Sequence, residues 1–385
     1  MMKAILLIGA ALGAGGAAAA ATVLTLAPAP AQPVSVTTHG ERPGPDSSRV
    51  VLFLDAMGSA DPLLCEMVSD QLGNFWWGYS DLGIGRLNDA PAALRAARDS
   101  VAGPVRNPGA IRELTARLSH ADHCIRRTAA RMLANSTVTD AQLGALLRES
   151  TGQRREAVLL TIGSAERMAL RGDVEGELRS DDAAIVAMAA WALGEMEDRA
   201  SVGPLERVLR HTSPRVRTTA AWALGSIEDG RAVPALLPLL DDPVGTVRLA
   251  TVEALGSIES VDAAPALARV LGRDEPALQV AAAEALGNLD DAITAPPELL
   301  RAVSAPDSAL RRAAVEALEN IADPASAQAL MPVVRDPDPE LRRAAIETLG
   351  DIGAIQATSV LTAALEDPNP AVRRAAVEAL AELED

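Results

Sequence analysis

The sequence predicts an all-α fold, an α-solenoid of antiparallel helix pairs stacked into a superhelix. Three observations carry that reading. The segments "AWALGEM", "AWALGSI", "VEALGSI", "AEALGNL", "VEALENI", "IETLGDI" and "VEALAEL" recur down the chain, with Trp191, Trp222, Glu253, Glu284, Glu316, Glu347 and Glu378 as aligned markers. Successive markers are 31, 31, 31, 32, 31 and 31 residues apart, a spacing that belongs to repeat architectures. Apolar residues make up 49% of the chain but aromatics only 2%, so the core is built from Ala, Val, Leu and Ile. Such small aliphatics suit closely packed helices better than sheets.

Each unit reads as two helices, and the last shows why. "ATSVLTAAL" is the first helix. "EDPNP" is the turn, where Asp367 can cap and Pro368 and Pro370 suit a bend or a first helical turn. "AVRRAAVEALAEL" is the second helix; Val372, Ala376, Ala379, Leu380 and Leu383 fall at helical spacing on one face. Ala375 and Ala376 leave room for a neighbouring helix. Gly194, Gly225, Gly256, Gly287 and Gly350 recur with the same period, which makes them packing positions.

The pattern "DPxxxVRxAAxEALGxI", as in "DDPVGTVRLATVEALGSI" and "DPNPAVRRAAVEALAEL", resembles the short, Ala-rich HEAT-like repeats also described in phycobilisome-lyase-like proteins. The resemblance is strongest from about 170 to 385 and weaker upstream. "HADHCIRRTAARMLANS" places Arg131 in the Glu column, and "RREAVLLTIGSA" places Gly163 at the Gly position. "ADPLLCEMVSDQLGNF" fits with Asp61-Pro62 as turn, Asp70 at the Glu position and Gly73 at the Gly position. It thus covers about 49 to 385, with 76 to 105 as an insertion. It implies a continuous core between stacked helix pairs, with end repeats needing separate cover. Pigment attachment, known for the lyases that share this repeat, rests here on the repeat alone, and repeats carry function poorly.

From the N-terminus, residues 1–31 read as an export signal: one charge at Lys3, then "AILLIGAALGAGGAAAAATVLTLA", then small residues Ala29 and Ala31 before an expected cleavage. Uncleaved, the same stretch is long enough to anchor in a bilayer. The expected location is therefore periplasmic or extracellular. Residues 32–48 are polar, rich in Pro and Gly, and read as a flexible linker. Residues 49–105 form a degenerate first unit with an aromatic insertion, and 106–385 the regular array. Export lets Cys65 and Cys124, the two cysteines, pair as a disulfide that fastens the irregular end; the alternative is two separately buried thiols. The run "LGNFWWGYSDLGIGR" holds four of the seven aromatic residues. In the repeat register Phe75 is core, and Trp76, Trp77 and Tyr79 follow as the helix ends. They read as an end cap over the first unit, with a ligand or partner site as the alternative.

The net charge of −17, with Lys3 the single lysine, disfavours nucleic acid and anionic membrane surfaces. "SHADHC" (His120, Asp122, His123, Cys124) is the one metal-like cluster. It sits in an inter-helix turn, matches no closed zinc spacing, and reads as a helix-capping turn. His39 falls in the linker and His211 in another turn. There is no glycine-rich phosphate loop and no serine elbow. The expectation is a protein with no catalytic set, metal or cofactor.

Function in such an array lives on a surface. With Val372 toward the core, Arg374 and Glu378 point away from it and line the concave wall. In the last units Arg312–Glu316, Arg343–Glu347 and Arg374–Glu378 are spaced for i, i+4 ion pairs. In the middle units the stripe turns apolar: Trp191 and Trp222 replace Glu above Ala187 and Thr218, and Glu253 and Glu284 stand above Leu249 and Val280. The two indoles either anchor a partner or fold back to cover small Ala and Gly surfaces. The functional expectation is an exported scaffold that binds a protein or peptide through this face. The alternative is an accessory or regulatory subunit of an envelope enzyme or sensor that recognises a peptide or protease.

Overall fold

A computed structural model describes residues 44–58, 101, 103–289 and 293–383. Among these residues the regular structure is helical, apart from one isolated bridge between Val105 and Ser136. The helix α1 (Ser47–Met57) begins just before the expected end of the linker at 48. Nine helix pairs follow. They are α2 (Pro108–Arg117) with α3 (His123–Ala134), α4 (Asp140–Glu149) with α5 (Gly152–Ser164), and α6 (Arg171–Glu177) with α7 (Ala183–Glu195). Next come α8 (Val202–Val208) with α9 (Pro214–Ile227), α10 (Val233–Leu236) with α11 (Gly245–Ile258), and α12 (Ala264–Val270) with α13 (Pro276–Gly287). The last are α14 (Pro297–Ala302) with α15 (Ser308–Ile321), α16 (Ala327–Leu330) with α17 (Pro339–Asp351), and α18 (Thr358–Ala364) with α19 (Pro370–Glu382). Each second helix packs on the second helices before and after it, so one apolar core runs through the array. No helix among the described residues is long and apolar enough to cross a membrane.

The glycine column sets how closely these helices approach. A Cβ on Gly225 of α9 would lie 2.8 Å from the Ala254 Cα of α11, closer than atoms tolerate. The same fit joins Gly163 to Ala192, Gly194 to Ala223, Gly256 to Ala285, Gly287 to Ala317 and Gly350 to Ala379. Glycine supplies the space and alanine the small knob that enters it. Two junctions lack the glycine. Between α3 and α5, Ala134 takes its position and Thr161 the alanine position; between α15 and α17, Glu319 and Thr348 do. These are the two junctions where successive second helices contact each other least.

The turns show what the "DPxxxVR" pattern does. The Arg342 Nη1 donates to the carbonyls of Asp336 (2.9 Å) and Pro337 (3.2 Å) in its own turn. Its Nε and Nη2 grip Asp367 of the next turn at 2.8 and 2.9 Å. Arg217 does the same between His211, Thr212 and Asp242, and Arg311 between Ala305, Pro306 and Asp336. One side chain thus satisfies two carbonyls of its own turn and ties successive repeats by a largely buried, charge-assisted bond. The arginine hydrogen bonds hold the Asp242 and Asp367 carboxyls below the usual range.

Two sequence expectations are corrected here. Asp367 does not cap α19. Asn369 does, accepting from Ala371 N, because the helix starts at Pro370 and Asp367 lies two residues before the cap position; its carboxylate instead accepts from Asn369 N and from Arg342. Of the three expected i, i+4 pairs, Arg343–Glu347 forms. Arg312 turns instead to Asp338 of the next repeat at 3.1 Å, where the carboxylate is already fixed as the cap of α17, and Arg374–Glu378 is not formed.

These contacts make opposite predictions for two glycine-to-alanine changes. Gly225→Ala gains helix propensity but forces backbone apart, and the clash wins: stability falls by about 1–2 kcal/mol. Gly176→Ala, on α6 where a Cβ meets nothing within 4 Å, gains up to about 1 kcal/mol. Urea titration of both variants measures the pair.

Candidate functional site

Nine residues after its cap, each second helix presents one side chain at the same height on one face. From α3 to α19 that column reads Arg131, Leu160, Trp191, Trp222, Glu253, Glu284, Glu316, Glu347, Glu378. The structure therefore brings Trp191, Trp222, Glu253 and Glu284 into one line. Thr218, Leu249 and Val280 lie one helical turn earlier, half-buried, with Leu249 and Val280 resting against the core.

Both indoles fold back over small surfaces, one of the two expected roles. Each leans back over the glycine of the preceding repeat: Cζ3 of Trp191 would lie 2.7 Å from a Cβ on Gly163, and Cζ3 of Trp222 2.8 Å from one on Gly194. The ring edges therefore cover the glycine surface, while the faces differ. Arg131 places its guanidinium 5.4 Å from the Trp191 ring centroid, held there by an Nη1 donation to Ser164 Oγ at 2.8 Å. This is a cation–π stack, and Trp191 is half-buried beneath it. In the column, the residue two second helices before Trp222 is Leu160, which carries no charge. Trp222 keeps 37% of its surface in water, and among the described residues no cation lies over it.

Carboxylates surround this pair. Glu195, one turn beyond Trp191, is pushed up to about 7 by burial and by the repulsion of Glu166 and Glu197, with Arg131 pulling the other way. Burial, then Glu228 and Glu166, raise Glu197. Partial burial and the next carboxylate in line raise Glu253 and Glu284. Glu166, Glu197, Glu228 and Glu259 share a further peculiarity. All four adopt left-handed backbone, with φ of 46°, 49°, 51° and 52°, where glycine would be cheaper. They also stand at helix C-termini, where negative charge opposes the helix dipole. Gly353 takes the equivalent place after α17, with φ 65°.

Sequence reasoning missed Arg131, Glu195 and these glutamates as parts of the site. Their signal was present: Glu166, Glu197, Glu228 and Glu259 repeat every 31 residues, three positions after the glycine column. The stack of Arg131 on Trp191 crosses two repeats and leaves no mark in any single helix.

The "SHADHC" turn is a capping turn. His120 Nδ1 accepts from Asp122 N at 3.0 Å, and Asp122 accepts from Ile125 N. His211 Nδ1 accepts from Ser213 N in the same way. These imidazoles occupy the place where Asp242, Asp336 and Asp367 accept in later turns. His123 is the first residue of α3, and Cys124 is buried behind it. The expected partner of Cys124, Cys65, and the expected end cap of Phe75, Trp76, Trp77 and Tyr79 lie outside the described residues, as do Asp61, Pro62, Asp70, Gly73 and His39.

The sequence matches the family model of HEAT repeats over residues 175–256, 233–319, 264–336 and 328–385, together more than half of the chain. Among solved structures, an engineered protein aligns with a TM-score of 0.50 and 20% identity, over 88% of this chain and 99% of its own. An Escherichia coli protein, YibA, aligns with a TM-score of 0.47 and 16% identity, over 64% of this chain and 93% of its own. The CpcE–CpcF complex of phycocyanin lyase from Nostoc aligns with a TM-score of 0.39 and 24% identity, over 64% and 95%. At these identities the likeness is one of fold. No curated protein sequence matches the chain.

Glu195 gives a pH prediction. Its folded pKa lies above the unfolded value, so between about pH 4.5 and 7 the folded state holds the extra proton. Its contribution to stability therefore falls as pH rises through that window and stays unfavourable above it. Glu195→Gln is expected to raise the melting temperature more at pH 8 than at pH 4.5, read by thermal scans of both proteins.

Proposed function

The chain belongs to the HEAT-repeat family, and on that premise we propose that it is an exported, non-catalytic scaffold binding a protein or peptide through its second-helix face. HEAT-repeat arrays generally mediate protein interactions. The binding centre is Trp191 and Trp222, flanked by Thr218, Leu249, Val280, Glu253 and Glu284. The observation that carries the reading is Trp222, a large aromatic with 37% of its surface in water on a face it shares with the half-buried Thr218, Leu249 and Val280. Half-exposed tryptophan is a common binding anchor, since it offers much apolar area at little conformational cost. The imidazoles of His120 and His211 support the non-catalytic part, because each already accepts a backbone N–H in a turn. Export rests on the apolar N-terminal stretch, and with it the disulfide between Cys65 and Cys124 that would fasten the N-terminal end.

The indoles separate structure from binding. Trp191 is gripped between Gly163 and Arg131, so Trp191→Ala costs about 3–4 kcal/mol. Trp222→Ala costs less, about 1–2 kcal/mol, and leaves the protein folded. Cross-linking in the intact envelope, followed by capture of wild type and Trp222→Ala, tests the face: the variant loses the partners that wild type retains. An unchanged set of partners would contradict the reading. The intact mass of the captured wild type, without reductant, is expected to show cleavage after Ala31 and one disulfide.

A further inference from the structure

We infer that the partner presents an arginine-bearing segment to this face, its guanidinium lying flat on Trp222 as Arg131 lies on Trp191. The inference rests on the docking-face reading above and adds the chemistry of what docks. The chain carries its own precedent. At Trp191 the ring edge covers a glycine and the ring face receives the buried Arg131 guanidinium, 5.4 Å from the centroid. At Trp222 the ring edge covers the next glycine in the same way, but the position that would supply the cation is Leu160. The two sites share a backbone frame and differ in whether the chain covers the ring face itself.

Charge complementarity fixes the occupant. Beyond Trp222 the column continues as Glu253 and Glu284, and Glu228 stands at the end of the same helix. These carboxylates crowd neighbours of their own sign along the array. Leu249 and Val280 add apolar footing one turn earlier. A second copy of this chain, with a net charge of −17, would be repelled, as would a nucleic acid or an anionic bilayer. A segment alternating apolar residues with arginine satisfies both the stripe and the acids. Arginine suits the site better than lysine, because its planar group stacks on an indole while its edge donates to carboxylates.

The probe is a fluorescein-labelled peptide of Gly-Leu-Arg-Ser repeats, with counterparts carrying Gln or Glu in place of Arg. Binding to the full chain is followed by anisotropy. The Arg peptide is expected to bind. Trp222→Leu, which keeps an apolar side chain but loses the aromatic face, is expected to weaken it about tenfold. Trp222→Phe should retain most of the affinity, and circular dichroism confirms that both variants are folded. Equal binding of the Gln peptide would overturn the inference while leaving the docking face intact. Binding of the Arg peptide that ignores Trp222→Leu would also overturn it, as charge attraction without a site. So would failure of the Arg peptide to bind, and envelope capture with Trp222→Ala then decides separately whether the face docks anything.

Discussion

The close approach of glycine to alanine between successive second helices is the contact on which the rest of this array depends. In six junctions a glycine receives the Cα and Cβ of an alanine from the next repeat. That contact draws the two helix backbones together. It leaves a shallow surface that an alanine-rich core cannot fill, and at two repeats a tryptophan edge lies across it. Beside it the arginine of each preceding repeat ties the next turn, as Arg217 meets Asp242 and Arg342 meets Asp367, and Arg311 makes the same bond to Asp336 at a junction without the glycine. Apolar burial and the placing of the aromatic column follow from one spacing, and the inter-repeat ion pairs reinforce it.

The proposed binding face works against the stability of the fold that carries it. Glu166, Glu197, Glu228 and Glu259 adopt a backbone conformation that costs an ordinary residue about 1–2 kcal/mol. They oppose the helix dipole and repel one another. Each cost would vanish with glycine, and Gly353 shows that the fold accepts it there. A cationic partner would reverse the electrostatic part of this cost. Acidic groups that burden the free protein would then become the source of affinity, a common relation between stability and function at binding surfaces.

Much of this was legible in the sequence. The repeat period placed the helix pairs, and the glycines sharing that period read correctly as packing positions. The imidazoles of "SHADHC" read correctly as part of a capping turn because they sat where polar turn residues recur. The illegible parts share one physical cause: they are interactions along the stacking axis. A helix wheel places Arg312 beside Glu316, yet the side chain reaches Asp338 on the next repeat. The arginine of "DPxxxVR" was visible as a motif, but its bond to an aspartate 25 residues onward needs the repeat spacing to be seen. Arg131 fell in the right column without its stack on Trp191 being deducible, because it reaches across an intervening helix.

The glycine contact is tested most directly where it is missing. Between α15 and α17, Glu319 and Thr348 stand in place of the glycine and alanine, and the helices meet less closely. Native-state hydrogen exchange, resolved by peptide, measures the free energy at which each second helix opens. Helices α17 and α19 are expected to open together at a lower free energy than α9 and α11, with the break falling between α15 and α17. Uniform protection across that junction, or a break between α9 and α11 where the glycine is present, would contradict it.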